Sequence, residues 1–289
     1  MPSSENKHKH PAPKRSRRGP LLDLLESAGK LIMEYYNSKA FEIESKADDS
    51  PVTTADKASN DLIIDGLTKL YPDIPIISEE TTQIPYDIRK NWEYCWMLDP
   101  LDGTKEFIKR NGEFSINLAL IHNHKPVEGY IHFPVQDWTY WAQKGKGAWK
   151  TDHLDIGGCD TVETQNFASL PRTSHIRIMI SRSHAGQREH DFISQVKKLG
   201  YVVETLPHGS AMKHCLIAEG KGDIYPKFGI CSEWDTAPGQ IILEESGGKI
   251  TQTDTGEALL YNKEDFANPE FIMWGNNVPK DLLNSLLNS

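Results

Sequence analysis

Cysteine is scarce in this sequence and follows no metal-binding or disulfide pattern. The 289 residues include four cysteines (Cys95, Cys159, Cys215 and Cys231) that lie far apart and form no C-x-x-C pair. This spacing argues against a disulfide framework and against a zinc ribbon. We therefore expect reduced and mostly buried thiols, as in a cytoplasmic protein.

Long apolar runs are also missing. No stretch approaches the roughly 18 consecutive apolar residues that a membrane-spanning helix needs, so we expect no membrane span. The first residues lack the apolar segment of a secretory signal. No Cys-x5-Arg loop occurs either, so the sequence gives no support for a covalent phosphocysteine intermediate. Apolar residues make up 38% and charged residues 25%, which is typical of a soluble globular protein.

Positive charge is concentrated at the start of the chain. Residues 1–20 carry a net charge of +5, and because the whole chain carries −9, the remainder carries −14. A body of that sign is a poor partner for nucleic acid. The composition of residues 1–20, rich in Pro, Ser, Lys and His, predicts a disordered, solvated tail. Contact of this tail with nucleic acid or a membrane is the alternative.

The first half of the body combines helical and strand patterns. Apolar residues at helical spacing predict one helix from Leu21 and another over about Asp56–Leu70, joined by a polar loop. Apolar runs then predict strands at Ile74–Ile77 and Tyr94–Leu98. Alternation predicts an antiparallel meander, with a turn at Gly145–Gly147 following its third strand; the three strands are Phe114–Ile121, Val127–His132 and Thr139–Gln143.

The second half alternates strands and helices, which indicates a layered α/β lobe. The predicted elements are strand 177–181, helix 187–199, strand 201–205, helix 210–219, strand 223–225 and helix 235–246. Gly157-Gly158 and scattered polar residues place a boundary near 155–168. The resulting division is a tail (1–20), an N-terminal α+β lobe (21–160) that carries the metal-binding loops, and a C-terminal α/β lobe (161–289) that completes the substrate site.

Two carboxylates follow the second predicted strand of the first lobe. In Asp99-Pro100-Leu101-Asp102-Gly103-Thr104, Pro100 fixes φ and prevents a helix, so both carboxylates can face the same side. Gly103-Thr104-Lys105 then opens a short helix, whose free N–H groups favour an anion. Oxygen ligands next to an anion site suit Mg²⁺ and a phosphate. A simple turn with a capping residue explains the same motif equally well.

Further acidic residues shift the balance toward a metal site. Glu79 and Glu80 follow the strand at Ile74–Ile77, although adjacent carboxylates there are ordinarily surface residues. Asp235 stands where a helix is expected to begin. An N-cap is its ordinary role, and such a role leaves one carboxylate oxygen available for a metal.

Taken together, these motifs resemble the inositol-monophosphatase superfamily. The resemblance rests on Trp96–Phe107, on Ser78-Glu79-Glu80 upstream and on Trp234–Gly239 downstream, in the superfamily's order over roughly residues 21–275. Within the superfamily, Asp48–Thr53, Asp102–Phe114 and Ser181–His184 are most similar to the CysQ-type 3′(2′),5′-bisphosphate nucleotidases. The resemblance implies a layered αβαβα sandwich of the inositol monophosphatase/fructose-1,6-bisphosphatase type.

The same resemblance implies roles for individual residues. Two or three Mg²⁺ ions would be ligated by Glu79, Asp99, the Leu101 carbonyl, Asp102 and Asp235, with Asp99 bridging two of them. The backbone of Gly103 and Thr104 would hold the phosphate that is cleaved. Thr104, hydrogen-bonded to Asp48, would position and deprotonate a metal-activated water; Asp49 competes with Asp48 for that role. Inhibition by lithium is also implied.

Basic residues beyond position 180 suggest a substrate with a second phosphate. Resemblance to the nucleotidases places Ser210 and Lys213 near that phosphate and the ribose, His184 near the base, and Lys227 at the remaining phosphate. Ser210 is a candidate cap of the helix that contains Cys215, with Lys213 about one turn inside it. Without the family pattern, Lys213 and Lys227 would be interpreted as solvated surface lysines. His184 would be interpreted as a surface histidine or as one whose hydrogen bonds are satisfied within the protein.

Several functions are compatible with this pattern. The first is Mg²⁺-dependent hydrolysis of adenosine 3′,5′-bisphosphate to AMP and phosphate, with the sulfated precursor as a further substrate. The second is an inositol-phosphate phosphatase, whose pocket would not need Ser210, Lys213 and Lys227. The third is a non-catalytic metal- and phosphate-binding protein, which has no physical reason to keep five site residues together: Glu79, Asp99, Asp102, Thr104 and Asp235. The sequence leaves the oligomeric state open.

Overall fold

A computed structural model describes residues 19–38, 41–45, 51–152, 159–161, 174–183 and 185–287. The helices within these ranges are α1 (Pro20–Ser38), α2 (Thr54–Leu70), α3 (Tyr86–Arg89), α4 (Thr104–Lys109), α5 (Gln187–Lys198), α6 (Met212–Ala218), α7 (Glu233–Glu245) and α8 (Lys280–Leu287). The strands are β1 (Ile43–Ser45), β2 (Pro51–Thr53), β3 (Ile76–Ser78), β4 (Tyr94–Asp102), β5 (Ser115–His122), β6 (Lys125–Phe133), β7 (Trp138–Gln143), β8 (Gly147–Asp152), β9 (Cys159–Thr161), β10 (His175–Ser181), β11 (Val202–His208), β12 (Ile224–Lys227), β13 (Lys249–Gln252) and β14 (Phe271–Trp274).

A seven-stranded sheet forms the first half of the molecule. Its order is β3-β4-β5-β6-β7-β8-β9, and every pair is antiparallel except β3 with β4. The predicted meander is therefore confirmed and extended by β8 and β9. Gly145 and Gly147, both at positive φ, lie at the turn between β7 and β8, where the sequence places it. The short pair β1–β2 lies outside this sheet.

Helices cover both faces of this sheet. Successive side chains along a strand point to opposite faces, and here apolar side chains point to both. On β4, Trp96 and Leu98 join the cluster that includes Leu25 and Ile32 of α1 and Ile63 of α2. Cys95 and Met97 of the same strand face the opposite cluster, which contains α6 and α7. The near-continuous apolar run in β4 is thus explained by burial on both faces.

A five-stranded sheet, in the order β11-β10-β12-β14-β13, forms the second half. Its inner side chains, including Met179, Tyr225 and Met273, join the same cluster as α6 and α7. Its outer side chains, including Ile178 and Trp274, pack with α5 and α8. The predicted alternation of strands and helices is confirmed, whereas β13, β14 and α8 were not predicted.

These contacts give five layers: α1 with α2, the seven-stranded sheet, α6 with α7, the five-stranded sheet, and α5 with α8. The expected αβαβα sandwich is therefore confirmed. The division into lobes at about residue 160 stays a prediction, because residues 153–158 and 162–173 lie outside the described ranges, as does the tail 1–18. The central helix layer contacts both sheets and shares one apolar cluster with them.

Helix starts follow the expected local chemistry. Pro20 occupies the first position of α1, where its missing N–H costs nothing. Before α2, the hydroxyl of Thr53 accepts a hydrogen bond from the Ala55 N–H, and the Asp56 carboxylate accepts one from the Thr53 N–H. No helix among the described residues is long and apolar enough to span a membrane. The three cysteines whose side chains are described carry free thiols.

Candidate active site

The ends of two neighbouring parallel strands bring the first two carboxylates together. Ser78 of β3 pairs in register with Leu98 of β4, and the Glu79 N–H donates a 3.1 Å hydrogen bond to the Leu98 carbonyl. Glu79 directly follows Ser78 and Asp99 directly follows Leu98, so the two carboxylates lie side by side at the same edge of the sheet. The sequence places both at strand ends, and the parallel register makes them neighbours.

A break in strand register brings Asp102 to the same side as Asp99. In a regular strand, residues three apart face opposite sides of the sheet. The pairing of β4 with β5 shifts between Asp99 and Asp102, where Pro100 and Leu101 lie, and the Asp99 carboxylate accepts a 3.0 Å hydrogen bond from the Leu101 N–H. β4 thus runs on through Asp102, so the expectation that it ends before Asp99 is wrong. The irregularity reorients the second carboxylate.

Asp235 reaches the site from the central helix layer. It is the third residue of α7, and the N-cap is Ser232, so its expected position as the cap itself is wrong. Its Oδ2 accepts hydrogen bonds from the Ser232 N–H at 2.9 Å and from the Cys231 thiol at 3.4 Å. This capping box fixes the carboxylate at the helix N-terminus.

The carboxylates of Glu79, Asp99 and Asp235 converge, each offering an oxygen within 4.8 Å of the others. Burial raises the pKa of Asp99 well above its usual range, and the charges of Glu79, Asp102 and Asp235 raise it further. Burial, with the charges of Asp102 and Glu79, likewise raises the pKa of Asp235 to about 7. One buried and two half-buried carboxylates that repel one another, all offering oxygen ligands, fit a hard divalent cation.

Asp102 stands between this cluster and a lysine. Its Oδ2 accepts hydrogen bonds from Asn117 at 3.2 Å and Ser115 at 3.4 Å. Burial raises its pKa, while the charge of Lys213 opposes that rise. Asn117 and Ser115 belong to β5 and were not predicted as part of the site; their alternation along that strand carried no distinguishing signal.

The hydroxyl of Thr104 has a partner that was not predicted. Its Oγ1 lies 3.0 Å from Asp56 Oδ1, to which it donates, and 3.3 Å from the Leu101 carbonyl. Asp48 and Asp49 lie outside the described residues, so their predicted contact with Thr104 stays a prediction. Thr53-Thr54-Ala55-Asp56 is a capping-box pattern in the sequence, and it is the one local signal that marks the Asp56 carboxylate. Burial raises the pKa of Asp56.

Gly103 allows two loops to meet at the start of α4. It adopts φ +90°, and a Cβ there would lie 2.9 Å from the Glu113 carbonyl oxygen and 3.3 Å from Ser210 Cβ. Glycine is therefore required by both the backbone conformation and the close approach. Ser210 is consequently adjacent to the segment predicted to hold the cleaved phosphate.

A basic wall faces the carboxylates. Lys213 is buried, with 4% of its surface exposed, and its Nζ donates to the carbonyls of Ser210 at 2.6 Å and His208 at 3.2 Å. Burial lowers its pKa to about 8, although the charge of Asp102 opposes that shift. Lys227, at the end of β12, lines the same cleft. The basic wall thus places the side chains of two lysines at one cleft.

Ser210 does not cap α6, contrary to expectation. The cap position is Ala211, while Ser210 adopts φ +40°. Its hydroxyl is buried and has no hydrogen-bond partner among the described residues. A buried hydroxyl without a partner, at the wall of a cleft, is suited to form a hydrogen bond with a bound ligand. His184, predicted near the base, lies outside the described residues.

The acidic and basic walls enclose one cleft of about 280 Å³. All the predicted site residues that the structure describes line it: Glu79, Asp99, Leu101, Asp102, Gly103, Thr104, Ser210, Lys213, Lys227 and Asp235. Ile230 also lines it and was not predicted; 93% of its surface is exposed. Residues separated by more than 150 positions in the sequence are therefore combined in a single site.

The fold and the acidic cleft define a metal-dependent phosphatase. The chain belongs to the inositol monophosphatase family, whose sequence profile matches residues 19–288. This membership agrees with the resemblance found in the motifs around Asp99 and Asp235.

Individual relatives narrow the comparison. Over 253 residues the chain is 41% identical to the 3′(2′),5′-bisphosphate nucleotidase CysQ of Shigella flexneri, which covers 87% of this chain and 96% of that protein. The CysQ nucleotidase of Haemophilus influenzae is 35% identical, with 88% and 91% covered. A crystal structure of CysQ from Bacteroides thetaiotaomicron matches with a TM-score of 0.75 and 37% identity, covering 89% of this chain and 96% of that one. An inositol monophosphatase of Thermotoga maritima, at 24% identity, shares the fold with a TM-score of 0.72.

Proposed function

We propose that this chain is a Mg²⁺-dependent 3′(2′),5′-bisphosphate nucleotidase that hydrolyses adenosine 3′,5′-bisphosphate to AMP and phosphate. The observation that carries the proposal is the pairing, in one cleft, of a converging carboxylate cluster with Lys213 and Lys227. The identity to CysQ nucleotidases over nearly their whole length supports the same activity.

The carboxylate wall supplies the metal ligands in this proposal. Glu79, Asp99, Asp102 and Asp235, with the Leu101 carbonyl, would hold two or three Mg²⁺ ions. When bound, Mg²⁺ offsets the negative charge of the phosphate and acts as a Lewis acid. The raised pKa values of Asp99 and Asp235 support this assignment, because carboxylates that repel one another are stabilised by a cation.

Thr104 and Asp56 would orient the attacking water. Because the Thr104 hydroxyl donates its proton to Asp56 Oδ1, the lone pairs of its oxygen are directed to accept a hydrogen bond from water. The water oxygen forms a bond to phosphorus as the bond from phosphorus to the ribose 3′ oxygen breaks. A proton leaves the attacking water and one is taken up by the 3′ oxygen, so AMP and inorganic phosphate result.

The opposite wall would recognise the rest of the nucleotide. The amines of Lys213 and Lys227 provide positive charge for the second phosphate, and the unpartnered hydroxyl of Ser210 can donate to it. Ile230 presents an almost fully exposed apolar side chain at the mouth of the cleft. A nucleobase has an apolar face that such a side chain can cover, whereas inositol is a polyol.

A substrate panel with Mg²⁺ tests the proposal. Purified protein is assayed for phosphate release from adenosine 3′,5′-bisphosphate, its 2′,5′ isomer, the sulfated nucleotide, inositol 1-phosphate and fructose 1,6-bisphosphate. We expect the bisphosphate nucleotides to have the highest kcat/KM, and activity to stop when the metal is removed with EDTA. Preference for inositol 1-phosphate would contradict the nucleotidase assignment and leave the phosphatase assignment intact.

A further inference from the structure

An ion pair connects two segments that border the cleft and have no role in the chemistry proposed above. Glu113 lies between α4 and β5, and Arg182 directly follows β10. The Glu113 carboxylate accepts hydrogen bonds from Arg182 Nε and Nη2, both at 2.7 Å. Arg182 also donates from Nη2 to the Pro207 carbonyl at 2.8 Å. This fork-to-fork geometry is the strongest arrangement that a carboxylate and a guanidinium form.

The same carboxylate holds the loop that leads to the basic wall. Glu113 Oε2 accepts a 2.8 Å hydrogen bond from the Gly209 N–H, one residue before Ser210. A Cβ at Gly209 would lie 2.9 Å from Glu106 Cγ and 3.0 Å from Glu113 Cβ, so the loop is packed directly against the α4 segment. Burial alone would raise the pKa of Glu113, but the bonds from Arg182 and Gly209 hold it below its usual value.

Glu113 thereby joins the two phosphate-binding segments of the cleft. On one side, its own carbonyl packs against Gly103, at the start of α4. On the other side, its carboxylate fixes Gly209, and Lys213 is bonded to the carbonyls on either side of Gly209, those of His208 and Ser210. Glu113 therefore contacts both the Gly103 segment and the loop whose carbonyls accept hydrogen bonds from Lys213.

From this geometry we infer that the Glu113–Arg182 pair is a positioning device that sets the distance between the cleaved phosphate and the second phosphate of the substrate. This inference rests on the proposed function, because only a substrate with two phosphates needs that distance to be fixed. A loop that is not held in place loses affinity for the second phosphate, since it must be ordered again on binding. Glu113 and Arg182 are therefore positioning residues and do not contact the reacting atoms.

Two matched substrates test it: adenosine 3′,5′-bisphosphate and adenosine 3′-monophosphate, which differ only in the 5′-phosphate. The preference of an enzyme for the first is the ratio of its two kcat/KM values. Glu113→Gln keeps the shape of the side chain but leaves the Arg182 fork and the Gly209 N–H to compete for one oxygen. We expect this variant to lower the preference about tenfold, mainly through KM of the bisphosphate.

Two further variants separate positioning from stability. Arg182→Gln should lower the preference to the same extent, and the double variant should add little, because both residues act through one interaction. Arg177→Gln is the control: Arg177 lies on the same strand, β10, and forms a similar pair with Asp223, at 2.7 and 3.0 Å, away from the cleft. It should lower the melting temperature and leave the preference unchanged.

The outcomes are distinguishable. If Glu113→Gln is folded and its preference equals that of the wild type, the inference is overturned. The same holds if Arg177→Gln lowers the preference as much as Glu113→Gln, since general loosening would then explain both. A wild-type protein that hydrolyses neither nucleotide would contradict the proposed function itself. Should Glu113→Gln fail to fold, Arg182→Gln carries the test alone, because 43% of that side chain is exposed.

Discussion

The two walls of the cleft are built in different ways. The acidic wall is formed at the ends of paired strands and at a capped helix N-terminus, so hydrogen bonds of the backbone position Glu79, Asp99 and Asp235. The basic wall depends on a loop with a strained residue, Ser210 at φ +40°, and on the charges that hold that loop in place. Secondary structure positions the carboxylates of the first wall. In the second wall, α6 and β12 carry Lys213 and Lys227, but Ser210 lies in a loop that the Glu113 side chain holds through Gly209.

This difference has a functional consequence. Interactions that stabilise charge at the reacting phosphate need groups that do not move, and a sheet edge provides them. Recognition of the rest of a substrate can be altered by changing a loop without disturbing the sheet. Changes in the acidic wall should therefore abolish turnover with any substrate, and changes in the basic wall should alter the choice among substrates.

The largest effect is expected from Asp99→Asn. An amide removes the charge at the centre of the cluster, so turnover of every phosphate ester should fall by about a thousandfold or more. Asp99 is buried beside three other carboxylates that repel it, so the metal-free variant should melt at the same temperature as the wild type or higher. Phosphate release and thermal unfolding in EDTA measure the two quantities.

A control for this variant is Asp73→Asn, because Asp73 is exposed and lies outside the cleft. It should leave turnover unchanged. Near-normal activity in Asp99→Asn would refute the assignment of the acidic wall as the catalytic side.

Lys227→Ala comes next in magnitude and tests the basic wall. Loss of a charged hydrogen bond to the second phosphate should raise KM for adenosine 3′,5′-bisphosphate by about 10- to 100-fold. The KM for adenosine 3′-monophosphate should change much less. Lys249→Ala, at an exposed position of β13, is the control with the same loss of charge. Equal effects of Lys227→Ala on both substrates would mean that the wall does not distinguish them.

Ile230→Ser should have a smaller effect. If the exposed side chain covers part of the nucleobase, its removal should raise KM for adenosine 3′,5′-bisphosphate by about three- to tenfold, given the free energy of burying a few methylene groups. Inositol 1-phosphate, which has no base, should be hydrolysed as by the wild type. A nucleotide KM that does not change would place the base elsewhere.

The smallest effect concerns the pH dependence of stability. The folded-state pKa of Glu113 lies below its usual value, so this carboxylate stabilises the fold at pH values above the unfolded-state pKa. That contribution is lost as the pH falls through the folded-state pKa. Wild type should therefore melt above Glu113→Gln at pH 7, by a few degrees or less, and the gap should close toward pH 3. A gap that is independent of pH would show that charge is not the cause.

Much of this architecture could be predicted from local patterns. The helices α1, α2 and α5 and the strands β5, β6 and β7 each show a clear period and were located to within a few residues. β13 and β14 are four residues each, which is too short for a period to be distinguished from chance. β14 pairs with β12 and β13 pairs with β14, and in each pair the two strands are distant in the sequence.

Some residues of the site could be predicted from the sequence and others could not. Asp99, Asp102 and Thr104 share one motif, and Glu79 and Asp235 follow recognisable element boundaries, but their grouping into one site was implied by the resemblance to the inositol-monophosphatase superfamily. The contact of Thr104 with Asp56 could not be predicted, because the same carboxylate satisfies an N-cap and a second residue 48 positions away. Ile230 gave no signal, since exposure of an apolar residue is decided by what packs around it.

The sequence alone determined many of the elements, the acidic motif and the family, because periodicity and short-range spacing are local properties of the chain. Tertiary structure decided how these parts meet. The parallel register of β3 and β4 made Glu79 and Asp99 neighbours, and the shifted register after Asp99 brought Asp102 to the same side. The packing of α6 and β12 against the rest of the cleft placed Lys213 and Lys227 in the same site as the carboxylates. Such contacts join distant residues and depend on burial and on how the layers pack.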